Sequence, residues 1–374
     1  MSVGAAEPVA VPIQDVEQEL TRQLKAAQIA GQVPFQWARM SNLVVACRDE
    51  ASAAVAEAQF HAIIAVHPAR LLLLIGDPRA ADAPIRAEVK VEGLDDDDFV
   101  CSELVRLRAG GPSVERLIYA VRGLIIGDLP TNLWWANAVP PSAASVGLMN
   151  QLTDQVEQVI YDSTGWADPR AGVEATTPWL HRFEHAPNKG PCRVASDLNW
   201  RRLKTWRRVL GQALDPETTP GALESIREVV IEHGPHAVIQ GWMLASWLAS
   251  RLGWKVRVGH DLAASHPELD WDLAAPQGIV RVAVRRLPEG PPGVRRVRVE
   301  YREAGQVACM EIVAEGGDRI AVIPCCTTAA PRTVSVGPQP LADLLGRQLS
   351  DREHDPIFRQ TMALAQVLAR AIKD

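Results

Sequence analysis

The hydrophobic period of this chain changes once, and the change divides it. Between residues 42 and 163, strand-length apolar runs at Leu43–Ala46, Arg70–Ile75 and Leu133–Ala136 are separated by segments with helical spacing, Ala51–Val66 and Ser113–Ile126. Strand–helix–strand order of this kind means parallel strands with the helix laid on one face. Between 280 and 323 the step drops to two. Val280, Val282 and Val284 alternate with Arg281, Ala283 and Arg285, and Val297, Val299 and Tyr301 alternate with Arg296, Arg298, Glu300 and Arg302. The Pro/Gly-rich Leu287–Gly293 between them reads as a hairpin turn.

The two patterns predict an α/β N-terminal domain, a mixed sheet with strand–helix–strand units, followed by an α+β C-terminal domain with helices and a mainly antiparallel sheet. Ile85–Glu92 and Phe99–Leu107 add strands to the first, with Asp95–Asp98 as a solvated turn between them. Ser145–Val159 reads as a helix leading into a short strand, Val159–Asp162. Helical spacing at Val16, Leu20, Leu24 and Ala27 places one helix in an N-terminal extension, residues 1–41. The α/β domain then covers 42–165. Pro169, Pro178, Pro187 and Pro191 mark 166–195 as a linker, and 196–374 form the second domain. Within it, Leu198–Leu214, Ala237–Leu252 and much of 338–373 have helical spacing, and Val307–Val313 and Arg319–Ile323 continue the sheet.

With 374 residues, the chain is long enough for two cores of ordinary size. The formal net charge is −6. Residues 1–194 hold 16 Lys+Arg against 24 Asp+Glu, and the rest hold 23 against 21. Neither half has the concentrated positive surface of a nucleic-acid binder. No apolar run reaches the ~18–20 residues that cross a bilayer. Met1–Gln14 lacks the positive charge and apolar stretch of a secretory signal, so a cytoplasmic protein is expected, with neither nucleic acid nor membrane as partner. The six irregularly spaced cysteines, Cys47, Cys101, Cys192, Cys309, Cys325 and Cys326, fit reduced thiols better than a disulfide framework.

Catalytic signatures are missing. The chain has no G-x-G-x-x-G, no G-x-x-x-x-G-K-[ST], no G-x-S-x-G, no C-x-x-C and no H-E-x-x-H. His233 and His236 stand three apart beside Glu232, but Gly234 and Pro235 put them in a loop, so no metal is expected there. Adjacent Cys325 and Cys326 read as strand-end packing, with redox sensing as the sharper option. No catalytic residue, cofactor, metal or small-molecule ligand is expected.

What the chain does have is indole and guanidinium. It carries 11 Trp beside 5 Phe and 3 Tyr. In the run Asp197-Leu198-Asn199-Trp200-Arg201-Arg202-Leu203-Lys204-Thr205-Trp206-Arg207-Arg208, Trp206 joins Leu203 and Leu210 on an apolar face. Trp200 sits off that face, among cations. A helix with one core face and one cation-rich face is an interaction element. Trp134 and Trp135, neighbours on a strand, point to opposite faces, so both are buried only if helices cover both sides of the sheet. Arg281, Arg285, Arg296, Arg298 and Arg302 share one face of the second sheet, opposite its valines, balanced by Glu300 and Glu311. Such a face grips an acidic partner or a phosphorylated ligand. Trp200, Arg201, Arg202, Trp206, Trp134, Trp135, Arg281, Arg285, Arg296 and Arg298 are therefore the candidate partner-binding residues.

Four of these segments carry a family resemblance. Asp128-Leu129-Pro130-Thr131-Asn132-Leu133-Trp134-Trp135, Val159-Ile160-Tyr161-Asp162-Ser163, Asp197 to Arg207, and Gly241-Trp242-Met243-Leu244-Ala245-Ser246-Trp247-Leu248-Ala249-Ser250-Arg251-Leu252-Gly253-Trp254 stand in the order seen in the glucose-6-phosphate dehydrogenase assembly protein OpcA family. The chain resembles that family over most of its length, with the first 40 residues outside the match. The resemblance implies a non-enzymatic cytosolic protein that promotes assembly or activation of oligomeric glucose-6-phosphate dehydrogenase, the NADP-reducing entry to the oxidative pentose phosphate pathway. It offers no catalytic residues. The competing readings are a regulator that senses sugar phosphates or nucleotides through the Arg-rich sheet face, and an enzyme whose site is scattered along the sequence.

Overall fold

The computed structural model describes residues 8–29, 39–93, 101–142, 147–185, 193–261, 268–316, 318–325 and 330–373. The Asp95–Asp98 run, Cys192 and Cys326 lie outside them. The chain forms two compact units. The first takes residues 1–162, 180–198 and 340–353, and the second takes 163–179, 199–339 and 354–374.

The sheet of the first unit comprises β1 (Val9–Val11), β2 (Ser41–Cys47), β3 (Ala69–Asp77), β4 (Ala83–Gly93), β5 (Cys101–Gly110), β6 (Thr131–Trp135), β7 (Gln158–Tyr161) and β8 (Val194–Asp197). Its spatial order is β1-β4-β5-β3-β2-β6-β7-β8. From β5 to β8 all neighbours are parallel. β4 and β1 add an antiparallel edge. Numbered by their own succession, the six parallel strands stand 3-2-1-4-5-6, the doubly wound order of dinucleotide-binding sheets, with the switch point between β2 and β6.

Helices α1 (Val16–Ile29), α2 (Glu50–Glu57), α3 (Phe60–Val66), α4 (Leu117–Leu124) and α5 (Leu148–Thr153) connect these strands, and α6 (Pro169–Glu184) precedes β8. One core joins Leu43, Val45, Leu71, Leu73, Trp134 and Ile160 of the sheet to Phe60 and Ile63. It also takes Leu344, Leu345 and Leu349 from a helix near the C-terminus.

Two expected boundaries change. The N-terminal extension belongs to the first unit, because β1 pairs with β4, Val9 opposite Val89. The expected linker is structured over its described residues, and Pro187 and Pro191 lie outside them. Proline is tolerated in the first helical turn, so Pro169 starts α6 rather than breaking the chain, and Pro178 is accommodated within it. The segment then ends in β8, an edge strand of the first sheet. The helix expected over Ser145–Val159 is confined to α5.

In the second unit come α7 (Leu198–Arg202), α8 (Lys204–Ala213), β9 (Glu228–His233), α9 (Val238–Arg251), β10 (Lys255–Asp261), β11 (Glu268–Ala275), β12 (Gly278–Arg286), β13 (Val294–Glu303), β14 (Gln306–Glu315), β15 (Arg319–Pro324) and β16 (Arg332–Ser335). They are followed by α10 (Leu341–Ser350), which is the C-terminal helix of the first core, then α11 (Pro356–Ala371) and β17 (Ile372–Lys373). The sheet order is β16-β15-β14-β13-β9-β12-β11-β10-β17. Six of its eight pairings are antiparallel, as the period-two pattern requires.

The expected hairpin is a correction. β12 and β13 are not neighbours, because β9 lies between them, parallel to β12 and antiparallel to β13. Pro and Gly in Leu287–Gly293 mark a loop that passes over the end of β9 instead. The valine face of this sheet is covered by α9 and α11. Gly241 of α9 lies against Val284 and Ile231, and Trp271 Nε1 donates to the Leu368 carbonyl of α11 at 3.1 Å. The opposite face carries the charges.

Candidate functional site

Three places gather the chemistry that the sequence singles out. At the switch point of the first sheet, a dinucleotide would need backbone donors at the start of α2. Here the chain fills that position with its own groups. Asp49 caps α2 and accepts from Ser52 N at 2.9 Å, while Glu50 pairs with Arg106 at 2.6 Å and Arg108 at 2.9 Å. Asn137 bridges the two switch-point strands. It accepts from Arg48 N at 2.8 Å and donates to the Ala46 carbonyl at 2.9 Å. Carboxylates at the helix N-terminus satisfy its dipole and repel a phosphate. Trp134 and Trp135, beside this point on β6, are both buried, and Trp135 Nε1 donates to the Val139 carbonyl at 2.8 Å. As partner contacts these two indoles are therefore withdrawn.

The second place is the α7–α8 segment. Its helix breaks at Leu203, so Trp200 and Trp206 belong to separate helices. Trp206 packs with Val209, Leu210 and Ala213, as its spacing predicts. Trp200, expected among exposed cations, is 8% exposed. Its Nε1 donates to Asp355 Oδ2 at 2.6 Å, the Arg207 guanidinium lies 3.1 Å above the ring, and Phe358 is 5.6 Å away. Asp355 also caps α11 through Ile357 N and Phe358 N, each at 2.9 Å. Burial pushes the Arg207 pKa down to about 10, against the opposing pull of Asp355. Trp200 thus locks the start of this segment to α11, and both Trp200 and Trp206 are corrected from partner contacts to packing.

Below Trp200, Asn199 Oδ1 accepts from Arg202 at 2.8 Å, Gln240 at 2.9 Å and Thr164 at 3.0 Å. Arg202 is thereby committed to Asn199 within this chain. The outward side of α8 presents Lys204 and Arg208, four residues apart and both exposed, while Arg201, at the end of α7, is half-buried. Local spacing gave no sign of Asp355 or Gln240, which arrive from far along the chain.

The third place is the charged face of the second sheet. Arg281 donates through Nε to Asp270 at 2.7 Å. Arg296 lies 3.5 Å from Glu232, and Arg298 lies 3.8 Å from Glu228 and 3.4 Å from Glu300. A basin of about 340 Å³ lies over Val230, walled by Glu228, Glu232, Arg285, Arg296, Arg298 and Glu311. The expected Arg-rich face is therefore a mixed one. The carboxylates come from β9, a strand whose place between β12 and β13 no local pattern signals. Interleaved carboxylates do not favour a sugar phosphate, so no observation supports the sensor reading.

His233 is buried with Nδ1 2.7 Å from the Gly234 carbonyl, and burial holds its pKa below the usual range. Among the described residues no group of three or more His, Cys, Asp and Glu side chains comes together to hold a metal ion. Cys309 and Cys325 form a cross-strand disulfide with Cα atoms 5.3 Å apart, a correction to the expectation of reduced thiols throughout. Cys47 is a buried thiol, its pKa pushed up to about 12 by burial. Among the described residues no helix is long and apolar enough to cross a membrane.

Both halves of the chain match known protein domains. Residues 193–362 match the family described as the C-terminal domain of the glucose-6-phosphate dehydrogenase subunit, and residues 60–177 match the N-terminal domain of the same protein. A relative in Synechocystis sp. named "Putative OxPP cycle protein OpcA" is 24% identical over 323 residues, covering 81% of this chain and 64% of that one. A relative of the same name in Synechococcus elongatus is 25% identical over 317 residues, covering 77% and 65%. The chain thus spans less than two thirds of the length of these relatives. Among solved structures, glucose-6-phosphate 1-dehydrogenase from Mycobacterium avium is 12% identical with a TM-score of 0.44, covering 90% of this chain and 91% of that one. The Gal80p super-repressor mutant from Saccharomyces cerevisiae is 9% identical with a TM-score of 0.49, covering 89% and 96%.

Proposed function

The chain belongs to the glucose-6-phosphate dehydrogenase subunit family, and from that premise we propose that it is a non-catalytic cytoplasmic subunit. It docks on oligomeric glucose-6-phosphate dehydrogenase and favours the enzyme's active state, serving the oxidative pentose phosphate pathway. The observation that carries the reading is the match of both halves of the chain to the two domains of one family. The carboxylates at the start of α2 support a non-catalytic role, since they oppose the dinucleotide that a dehydrogenase of this topology would hold.

Such a protein works by binding the competent state of its target more tightly than the incompetent one. Roughly 5.5 kcal/mol of differential affinity turns a 1:99 population into 99:1. An interface of roughly 1,600 Å² supplies that without covalent chemistry. For the contact itself, the exposed cations Lys204 and Arg208 are the accessible part of the conspicuous Trp/Arg segment, and they suit an acidic surface on the enzyme.

The test is to mix the purified chain with its cognate dehydrogenase, then measure complex mass and turnover. Association with raised turnover or oligomeric order is the expected result. A dehydrogenase that neither binds nor changes overturns the proposal. Lys204→Glu with Arg208→Glu should weaken binding about tenfold at low salt and less at high salt. Unchanged affinity removes this segment from the interface and leaves the assembly role standing.

A further inference from the structure

Residues paired across neighbouring strands share a face, so the charged side of the second sheet can be read as a grid. Its middle row runs from β10 to β14 as His260, Asp270, Ala283, Val230, Arg298, Glu311. Two carboxylates, two cationic or N–H-donating groups and two small apolar residues make up the row. In the reverse direction, every donor falls where an acid stood and every acid where a donor stood, with the apolar pair at the centre.

That antisymmetry has a geometric meaning. A two-fold axis lying in the face, parallel to the strands and between β12 and β9, lays the row of a second copy on this one in reverse order. Asp270 then stands opposite Arg298 and His260 opposite Glu311, with Ala283 and Val230, both buried in the chain itself, opposite each other at the centre. The rows on either side follow suit, with Arg281 opposite Glu228 and Arg285 opposite Glu232. Asp272 opposite Glu300 is a like-charged exception. An axis in the same plane but across the strands would set Arg281 on Arg285 and Glu228 on Glu232. The complementarity is tied to one orientation.

The face also has the room. Six strands about 4.8 Å apart make a surface about 29 Å wide. β12, β13 and β14 are 9, 10 and 10 residues long, so a footprint of roughly 800 Å² per partner fits upon it. The in-plane pairs leave capacity for a second partner. Arg296 and Arg298 stand at 3.4–3.8 Å from their carboxylates and are 46% and 39% exposed. The basin over Val230 can receive side chains from an opposing sheet.

We infer that this face is an isologous interface, on which two copies of the chain pack sheet against sheet about an axis between β12 and β9. The inference goes beyond the dehydrogenase reading and stands without it, because it concerns the chain alone.

Sedimentation velocity of the chain without dehydrogenase tests it. A dimer with micromolar or tighter affinity is expected. Arg281→Glu with Arg285→Glu should weaken it at least about tenfold, and so should Glu228→Arg with Glu232→Arg, by like-charge opposition. An equimolar mixture of the two variants should recover the dimer, since each half of the mixed interface regains opposite charges. Val230→Arg, whose side chain has the basin to enter, is the second route and should also give monomer. A wild-type chain that stays monomeric up to about 100 μM overturns the inference. So do folded variants that dimerise like wild type, and a mixture that stays monomeric. Dehydrogenase activation measured on the same samples reports separately on the proposed function.

Discussion

The Trp200 indole is held on two sides, by the Arg207 guanidinium 3.1 Å above its ring and by Phe358 5.6 Å away. The indole N–H is taken up by Asp355, a carboxylate that also holds the start of α11. Trp200→Phe keeps the packing against Phe358 and loses the hydrogen bond, so it should cost about 1–3 kcal/mol in denaturant unfolding. Asp355→Ala removes that acceptor together with the helix cap. Combined with Trp200→Phe it should cost less than the two single changes added, because both break the same contact. His67 makes a second case. It is buried with Nε2 3.0 Å from Ser41 Oγ, and burial, with the charge of Arg352 adding to it, holds its pKa below 6.5. On unfolding the ring gains a proton near its ordinary pKa that the folded chain does not accept. The unfolded state therefore binds more protons below about pH 6.5, and stability falls as pH drops through that value. Urea midpoints from about pH 7.5 to about pH 5.5 should fall in the wild type and fall less in His67→Gln.

At the scale of elements, the strand–helix–strand half was legible because its signals are local. Apolar runs such as Leu71–Ile75 can lie nowhere but inside, and β2, β3 and β6 appear where those runs predict. The charged sheet was half legible. Its period-two strands β12 and β13 were plain, but their spatial neighbour was not, since β9 precedes them by a helix and two strands. No local rule announces such an insertion, and it turns a supposed arginine face into one of mixed sign. The tryptophans misled for the same reason. Their amphipathic neighbourhoods were readable, whereas the groups that bury Trp200 come from residues 355 and 358. The loop over β9 supplies a prediction of its own. Gly234 N donates to the Gly293 carbonyl at 2.9 Å, and a Cβ at 234 would collide with the Pro291 carbonyl oxygen. Gly234→Ala should destabilise the second unit by about 2 kcal/mol or more, because backbone rather than a mobile side chain must yield. A thermal melt of that variant unchanged from wild type would contradict the crowding.

Across the whole molecule, the boundary expected near residues 166–195 does not cut the chain into a first and a second half. The first core closes with Leu344, Leu345 and Leu349 of α10, and the second takes α11 beyond it. A fragment of residues 1–198 should therefore lack a wall of its own core and show weak near-ultraviolet dichroism and rapid proteolysis, with the native signal restored by supplying 340–353. A fragment that folds as tightly as the intact chain would show α10 to be dispensable. The same threading bears on biosynthesis. At roughly 5–20 residues per second, a ribosome delivers α10 about 7–30 s after β8, so the first core stays open for that interval. Until then, the leucines of β2 and β3 that await α10 are bare on the emerging product, and the first core is closed by a segment made long after its sheet.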